Sequence, residues 1–525
     1  MNIVRRYCSR SVVSFTGSPM AVQLTSSPNP GLYSGWTRER LIKRLTELER
    51  NGEGKVVSSP IASELAAPAK SFDFSKHPRR KIALKFCYSG WEYGGLAFQT
   101  VPTPLPTVEN VLFDVLAKTR LIDPAAGFEG CGWEKCGRTD RGVSAAGQVI
   151  SLWVRSALPA EDTSEAVAEE EAREVKEEAK ADLENLGDEL GSLMISDERP
   201  TNSSIRRRES RQEHDYLAML NRLLPDTIRV IAWSPVSESF SARFSCTYRH
   251  YKYFFSSRNL DIALMQAGAA RLMGSHDFRN LCKIDAQKQI TMFRRTIMRA
   301  TISSVDDEDT GMYVFDLVGT AFLYHQVRHI MAVLLLVGSG LEPPSIITKL
   351  MNVEPDVEAP REEDGFEHYP VIDRKPEYQM ADALPLMLWE CGHDESELDW
   401  RISGQVDGGA IIRTELPAQL QGIHARSRVF EALDKHFSKA AEKHHPSNIS
   451  PLPLRDTKDL DSLKEKPARI LNVPLGGGTF KRTLKYVPLL ERRRLDTAEV
   501  INGRWRLRDQ KKKGNDNAVV DDGDE

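Results

Sequence analysis

The chain has 525 residues, 40% hydrophobic and 28% charged, which allows a sizeable core and is too long for one ordinary domain. Its longest apolar run, Ile330 to Val337, is core-length and too short for a membrane-spanning helix. The formal net charge of −4 argues at first against a nucleic-acid partner. The seven cysteines are odd in number and contain no Cys-x-x-Cys pair, so they fit a reducing compartment and give no support to a disulfide scaffold or a structural zinc.

Residues 1–38 carry Arg5, Arg6, Arg10 and Arg38 with several serines and no acid. That composition suits either an organelle transit peptide, with Met20 as an internal start, or an unstructured tail. Leu41, Leu45 and Leu48 predict an amphipathic helix over 38–51, and a Ser/Ala/Pro-rich linker follows to residue 77. A strand is expected at Lys81–Tyr88, then a Gly-rich turn from Ser89 to Gly95. Thr107 reads as the N-cap of a helix from Val108 to Thr119, and Gln148–Val154 as an alternating strand. From Pro159 to Arg211 acidic low-complexity sequence takes over, which we read as a disordered insertion that carries much of the negative charge. The net charge of the folded part is therefore more positive than the total.

Folded sequence resumes with a helix at Tyr216–Leu224 and a strand at Ile228–Trp233. In the next strand, Thr247–Phe255, a period of two puts Tyr251, Tyr253 and Phe255 on one face and His250, Lys252 and Phe254 on the other. A helix at 261–272, a strand pair at 293–303 and 312–318, a long helix from Ala321 through Val337 and a last core strand at Ala383–Cys391 complete the pattern. Beyond about residue 400 the chain is polar, ending in a basic-then-acidic tail.

One loop stands out. Cys136-Gly137-Arg138-Thr139-Asp140-Arg141-Gly142-Val143-Ser144-Ala145 places a carboxylate between two arginines in a Gly-flanked turn. By itself this is a surface turn with a solvated Asp. With Gln148-Val149, it resembles the catalytic motif of the TruA-type tRNA pseudouridine synthases. Phe240-Ser241-Ala242-Arg243-Phe244-Ser245 with Tyr251-Lys252-Tyr253 is similar to their second motif, and Ala321-Phe322-Leu323-Tyr324-His325-Gln326-Val327-Arg328 to their third. The three occur in family order across about 80–395. Together with Asp277-Phe278-Arg279-Asn280-Leu281-Cys282-Lys283, they look like the eukaryotic branch that modifies uridines 38 and 39 of the anticodon stem-loop.

The resemblance implies an α+β fold of two halves, 78–245 and 246–400, whose mostly antiparallel sheets join around a central catalytic cleft. It leaves 1–77 as tail, helix and linker, and 401–525 as a largely disordered extension with an ordered return near 470–495. It implies Asp140 as catalytic carboxylate, Tyr251 as the ring that stacks on the base, and Arg328 as the basic partner that pairs with Asp140. Arg138, Tyr253, Arg243 and Lys252 are the expected substrate contacts. Neither cofactor nor metal is implied; the partner is tRNA, with no membrane, and bacterial members are homodimers. Cytoplasm and nucleus are the expected compartments, with mitochondrial import suggested by the acid-poor N-terminus. The competing readings are the same chemistry at other tRNA positions and a tRNA-binding or chaperone-like protein of this fold without catalysis.

Overall fold

The computed structural model describes residues 72–100, 103–158, 213–305, 311–365, 367–403, 415–445 and 471–518. The expected helix at 38–51, the insertion at 159–211 and the start at Met1 or Met20 lie outside these residues. In chain order come β1 (Arg79–Tyr88), α1 (Val108–Lys118), α2 (Gly127–Gly130), β2 (Glu134–Lys135), β3 (Ser144–Arg155), α3 (Tyr216–Asn221), β4 (Ile228–Pro235) and β5 (Tyr248–Ser256). They are followed by α4 (Ile262–Ala269), β6 (Gly274–Asp277), β7 (Arg294–Ser304), β8 (Met312–Gly319), α5 (Gln326–Gly338), α6 (Ile346–Met351) and β9 (Leu386–Gly392). Beyond these lie α7 (Leu416–Glu442), β10 (Leu471–Gly476), β11 (Thr479–Thr483) and α8 (Ala498–Ala518).

Nine strands form one sheet in the order β4-β1-β3-β9-β5-β8-β7-β6, with β2 on β3. Every ladder in it is antiparallel except one, where Ser144 pairs Met387 and Ala145 pairs Leu388 in parallel. This short seam is where the strands drawn from 79–235 meet those drawn from 248–392. The backbones crowd there: a Cβ added at Gly147 would stand 2.5 Å from the Trp389 carbonyl oxygen, so only glycine admits the approach. The expected mostly antiparallel α+β architecture is what the structure has.

Apolar packing divides at the same seam. Leu84, Leu112, Leu116, Val149, Ile150, Tyr216, Val230 and Leu388 belong to one cluster. Tyr253, Met265, Phe278, Phe315, Ile330, Leu334 and Leu350 belong to the other, and Tyr251 packs against both. β3 was expected to alternate, yet Val149 to Leu152 is buried without a break, because the strand is central and covered on both faces. Thr107 caps α1 as its sequence foretold, its side chain accepting from the Asn110 N–H.

The third motif departs from expectation. The helix begins at Gln326, not Ala321, because His325 sits in the left-handed region at φ 59° and serves as N-cap. Every residue of α5 is buried except Arg328. The 401–525 extension also holds more structure than expected. α7 is a largely exposed helix, whereas residues 471–495 pack onto the body. The buried Glu342 carboxylate explains their docking: it accepts hydrogen bonds from Tyr486 Oη and the Leu489 N–H, each at 2.6 Å. Leu475 O accepts from Asp382 N at 2.7 Å, which ties the β10–β11 hairpin to the segment before β9.

Lys375, on that segment, is buried with its Nζ 2.6 Å from the Cys282 carbonyl and 3.0 Å from His329 Nε2. Burial lowers its pKa to about 7. At Lys375 the unfolded chain therefore holds a proton that the folded chain lacks from about pH 7 to the ordinary lysine value of 10.5, and this group's contribution to stability rises with pH across that window. His329, also depressed by burial, acts below 6.5 and stays outside it. In urea titrations, the midpoint should rise from pH 7 to pH 9 (about two units) and rise less in Lys375→Met; equal slopes would refute a neutral Lys375.

Candidate active site

The Asp140 loop leads directly into the seam. The Asp140 carbonyl accepts from Val143 N at 3.1 Å, closing a turn with Gly142 at φ 85°, a conformation that favours glycine. Thr139 is buried; its hydroxyl lies 2.6 Å from Tyr88 Oη and its carbonyl accepts from Leu96 N at 3.2 Å. Gln148 Nε2 donates to the Gly137 carbonyl at 2.9 Å, and the Gly90 N–H donates to Ser144 Oγ at 3.0 Å. The loop is thus held on both flanks by buried hydrogen bonds, while the Asp140 side chain remains 26% exposed. Such bonds are costly to leave unmade, so the backbone under Asp140 has little freedom.

Among the described residues, the basic side chain within ion-pair distance of Asp140 is His325, whose Nε2 lies 3.2 Å from Oδ2. Sequence reasoning had given that place to Arg328. Arg328 instead donates from Nε to the Ala381 carbonyl at 2.8 Å, one helical turn beyond His325. The left-handed backbone of His325 explains the difference, because it turns the ring off the helix toward the loop. The ring lies 3.7 Å from that of Tyr324, and its Nδ1 is buried with no hydrogen-bond partner. Burial pushes the Tyr324 hydroxyl above its ordinary value, and the Asp140 charge adds to the effect.

Tyr251 joins them. Its ring meets Phe322 edge-on at 5.1 Å, and its hydroxyl is pushed up by burial, with the charges of Cys391, Cys136 and Asp140 adding to the effect. Tyr253 does not join them: it is 0% exposed and its hydroxyl donates to the Asp382 carbonyl, so it is enclosed rather than offered to a base. Lys252 lies on the opposite face of β5, 3.3 Å from Asp316 and over the Trp389 ring, away from Asp140. Arg138 and Arg141 project exposed on either side of Asp140 and make no hydrogen bond or ion pair among the described residues. Arg243 is exposed, its guanidinium against the Phe244 ring.

One residue was missed. Arg249 donates from Nη1 to Thr320 O at 2.9 Å and Cys246 O at 3.3 Å, and from Nη2 to Arg243 O at 2.9 Å and Cys136 O at 3.2 Å. A single guanidinium thereby joins the backbones of the first two motifs and of the residue just ahead of the third, a task suited to its rigid fork of donors. The strand period already put Arg249 on the face of Tyr251; nothing in sequence shows that its partners are carbonyls.

Comparison with known proteins points the same way. A family model described as tRNA pseudouridine synthase matches residues 269–394. The chain is 36% identical over 534 aligned residues to the tRNA pseudouridine(38/39) synthase of Saccharomyces cerevisiae, covering 98% of this chain and 99% of that protein. It is 38% identical to the human tRNA pseudouridine(38/39) synthase, covering 67% of this chain and 66% of that protein. A probable tRNA pseudouridine synthase of Caenorhabditis elegans is 31% identical over 74% of this chain. With a near end-to-end match and an Asp loop seated at the seam of the sheet, the chain belongs to the tRNA pseudouridine synthase family.

Proposed function

We propose that the protein isomerises uridine to pseudouridine at positions 38 and 39 of the tRNA anticodon stem-loop, with Asp140 as the catalytic carboxylate. What carries the reading is the placement of Asp140: a part-exposed carboxylate on a turn fixed by buried hydrogen bonds, with His325 3.2 Å away. The choice of positions rests on the yeast and human relatives, whose names state them.

The reaction breaks the uracil N1–C1′ bond and joins the same base to C1′ through C5. C5 loses a proton and N1 gains one, so nothing is added or removed and no redox partner is consumed. A uridine stacked in a stem must first be extruded, at a cost of a few kcal/mol. An ionised carboxylate beside the sugar then attacks C1′ or takes the C2′ proton. Asp140 fills that role in either route. His325 holds its carboxylate in place, and Tyr251, at the junction of the two apolar clusters, offers its ring to the detached base. Arg138, free on the rim, is suited to a phosphate contact that positions the stem-loop.

Three outcomes follow. Asp140→Asn should lower turnover by at least ~1,000-fold while leaving tRNA affinity within roughly threefold, as read by pseudouridine mapping and by filter binding. Pseudouridine formed elsewhere, with 38 and 39 untouched, would keep the chemistry and discard the positions. Arg249→Lys should cut kcat by roughly 10- to 100-fold with little change in KM, because a lysine cannot bridge four carbonyls and the loop shifts. Arg138→Ala should weaken tRNA binding and reduce the slope of log Kd against log salt by about 0.7–0.9; an unchanged slope would remove Arg138 from the phosphate contacts.

A further inference from the structure

Four metal-ligand side chains converge at the seam. Cys136 lies between β2 and the Asp140 loop, Cys246 just before β5, and Cys391 and His393 at the end of β9. The ligand atoms of Cys136, Cys246 and His393 all lie within 4.8 Å of one another. Cys391 lies in the same buried cluster as Cys136 and Cys246, on the strand position paired with Arg249. The three cysteines are only 3%, 8% and 6% exposed in chain order. We propose that Cys136, Cys246, Cys391 and His393 bind one zinc ion in a closed tetrahedral site that clamps the start of the catalytic loop to β5 and β9.

The donor set is that of structural zinc: three sulfurs and an imidazole, with all four positions filled by protein. Bonds of 2.3 Å to sulfur put tetrahedral ligands about 3.8 Å apart, so the spacing of Cys136, Cys246 and His393 needs a contraction of about an ångström or less, and Cys391 completes the set by a side-chain shift. Three buried thiols are poor partners for one another, being weak donors and weak acceptors, and an odd number cannot all pair as disulfides.

Two neighbours argue independently for an anionic centre here. Arg249 meets only backbone carbonyls and has no carboxylate partner among the described residues. Three thiolates and one zinc ion carry a net charge of −1, which supplies the counter-charge that this half-buried guanidinium lacks. His393 has the Cys391 carbonyl 3.2 Å from Nδ1 and the Ala242 carbonyl 3.1 Å from Nε2. A neutral imidazole donates through one nitrogen only. The carbonyl that receives this proton fixes the tautomer, and the other nitrogen keeps a lone pair for a metal. The ion takes no part in the isomerisation; it holds the backbone four residues ahead of Asp140.

Metal analysis of the full chain, expressed with added zinc and purified without chelator, tests the site. About one zinc per chain is expected, retained in Cys87→Ser and lost in Cys246→Ser and Cys391→Ser. Cobalt(II) loading of the wild type should give thiolate-to-metal charge transfer and the intense visible bands of tetrahedral coordination, and His393→Cys should keep metal with shifted bands. Should the serine variants fail to fold, the wild-type and His393→Cys spectra decide the question. Zinc-free wild type without a cobalt spectrum, equal metal in all variants, or a native disulfide between two of these cysteines would overturn the proposal. None of these readouts depends on which uridine is modified.

Discussion

The structure depends on a parallel pairing of two residues, Ser144 and Ala145 on β3 against Met387 and Leu388 on β9. Among the described residues it is the only ladder joining the strands of 79–235 to those of 248–392. Parallel pairing is slightly weaker per residue than antiparallel, and this stretch is short, so the seam needs support from outside the ladder. Gly147 lets the backbones close, the two apolar clusters meet through Tyr251, and Arg249 ties the flanking loops together. The Asp140 loop ends where the pairing begins. A carboxylate placed there inherits the rigidity of the whole sheet while staying open to solvent on one side.

Arg249 and His325 solve two parts of one problem. The carboxylate proposed as catalytic must be aimed to within a fraction of an ångström, and loops are poor at that unless their supports are themselves fixed. Arg249 fixes the backbone by holding four carbonyls. His325 meets the side chain directly, from a left-handed conformation uncommon for a residue other than glycine. Backbone conformations of this kind persist only where their surroundings demand them, and they gather at functional sites. Buried α5 provides that demand, since every residue after His325 except Arg328 is locked in the core.

The C-terminal return gives the same cluster a second wall. Glu342 sits just beyond α5 and anchors Tyr486 and Leu489, while Gly476 lies against the Tyr253 hydroxyl. That hydroxyl also reaches Asp382, close to the Ala381 carbonyl that receives Arg328. The return is thereby linked through Tyr253 to the segment whose Ala381 carbonyl holds Arg328.

By itself the sequence determined the elements and the chemistry. The period of two in β5, the N-cap at Thr107 and the apolar run of α5 are local properties, and local spacing reveals them. The Gly-flanked Asp140 with two further motifs in order pointed to the reaction through their resemblance to the TruA-type family. Tertiary structure alone decided the partners. The resemblance implies Arg328 as the counter-charge, yet the backbone of His325 brings the imidazole to Asp140 while Arg328 holds the Ala381 carbonyl. Tyr251 and Tyr253 share a strand face and differ only in what the 381–383 segment and the β10–β11 hairpin cover. The cysteines look scattered because more than a hundred residues separate Cys136 from Cys246 and Cys246 from Cys391. Only the closing of the seam brings them to one point, and long-range closure leaves no mark in local spacing.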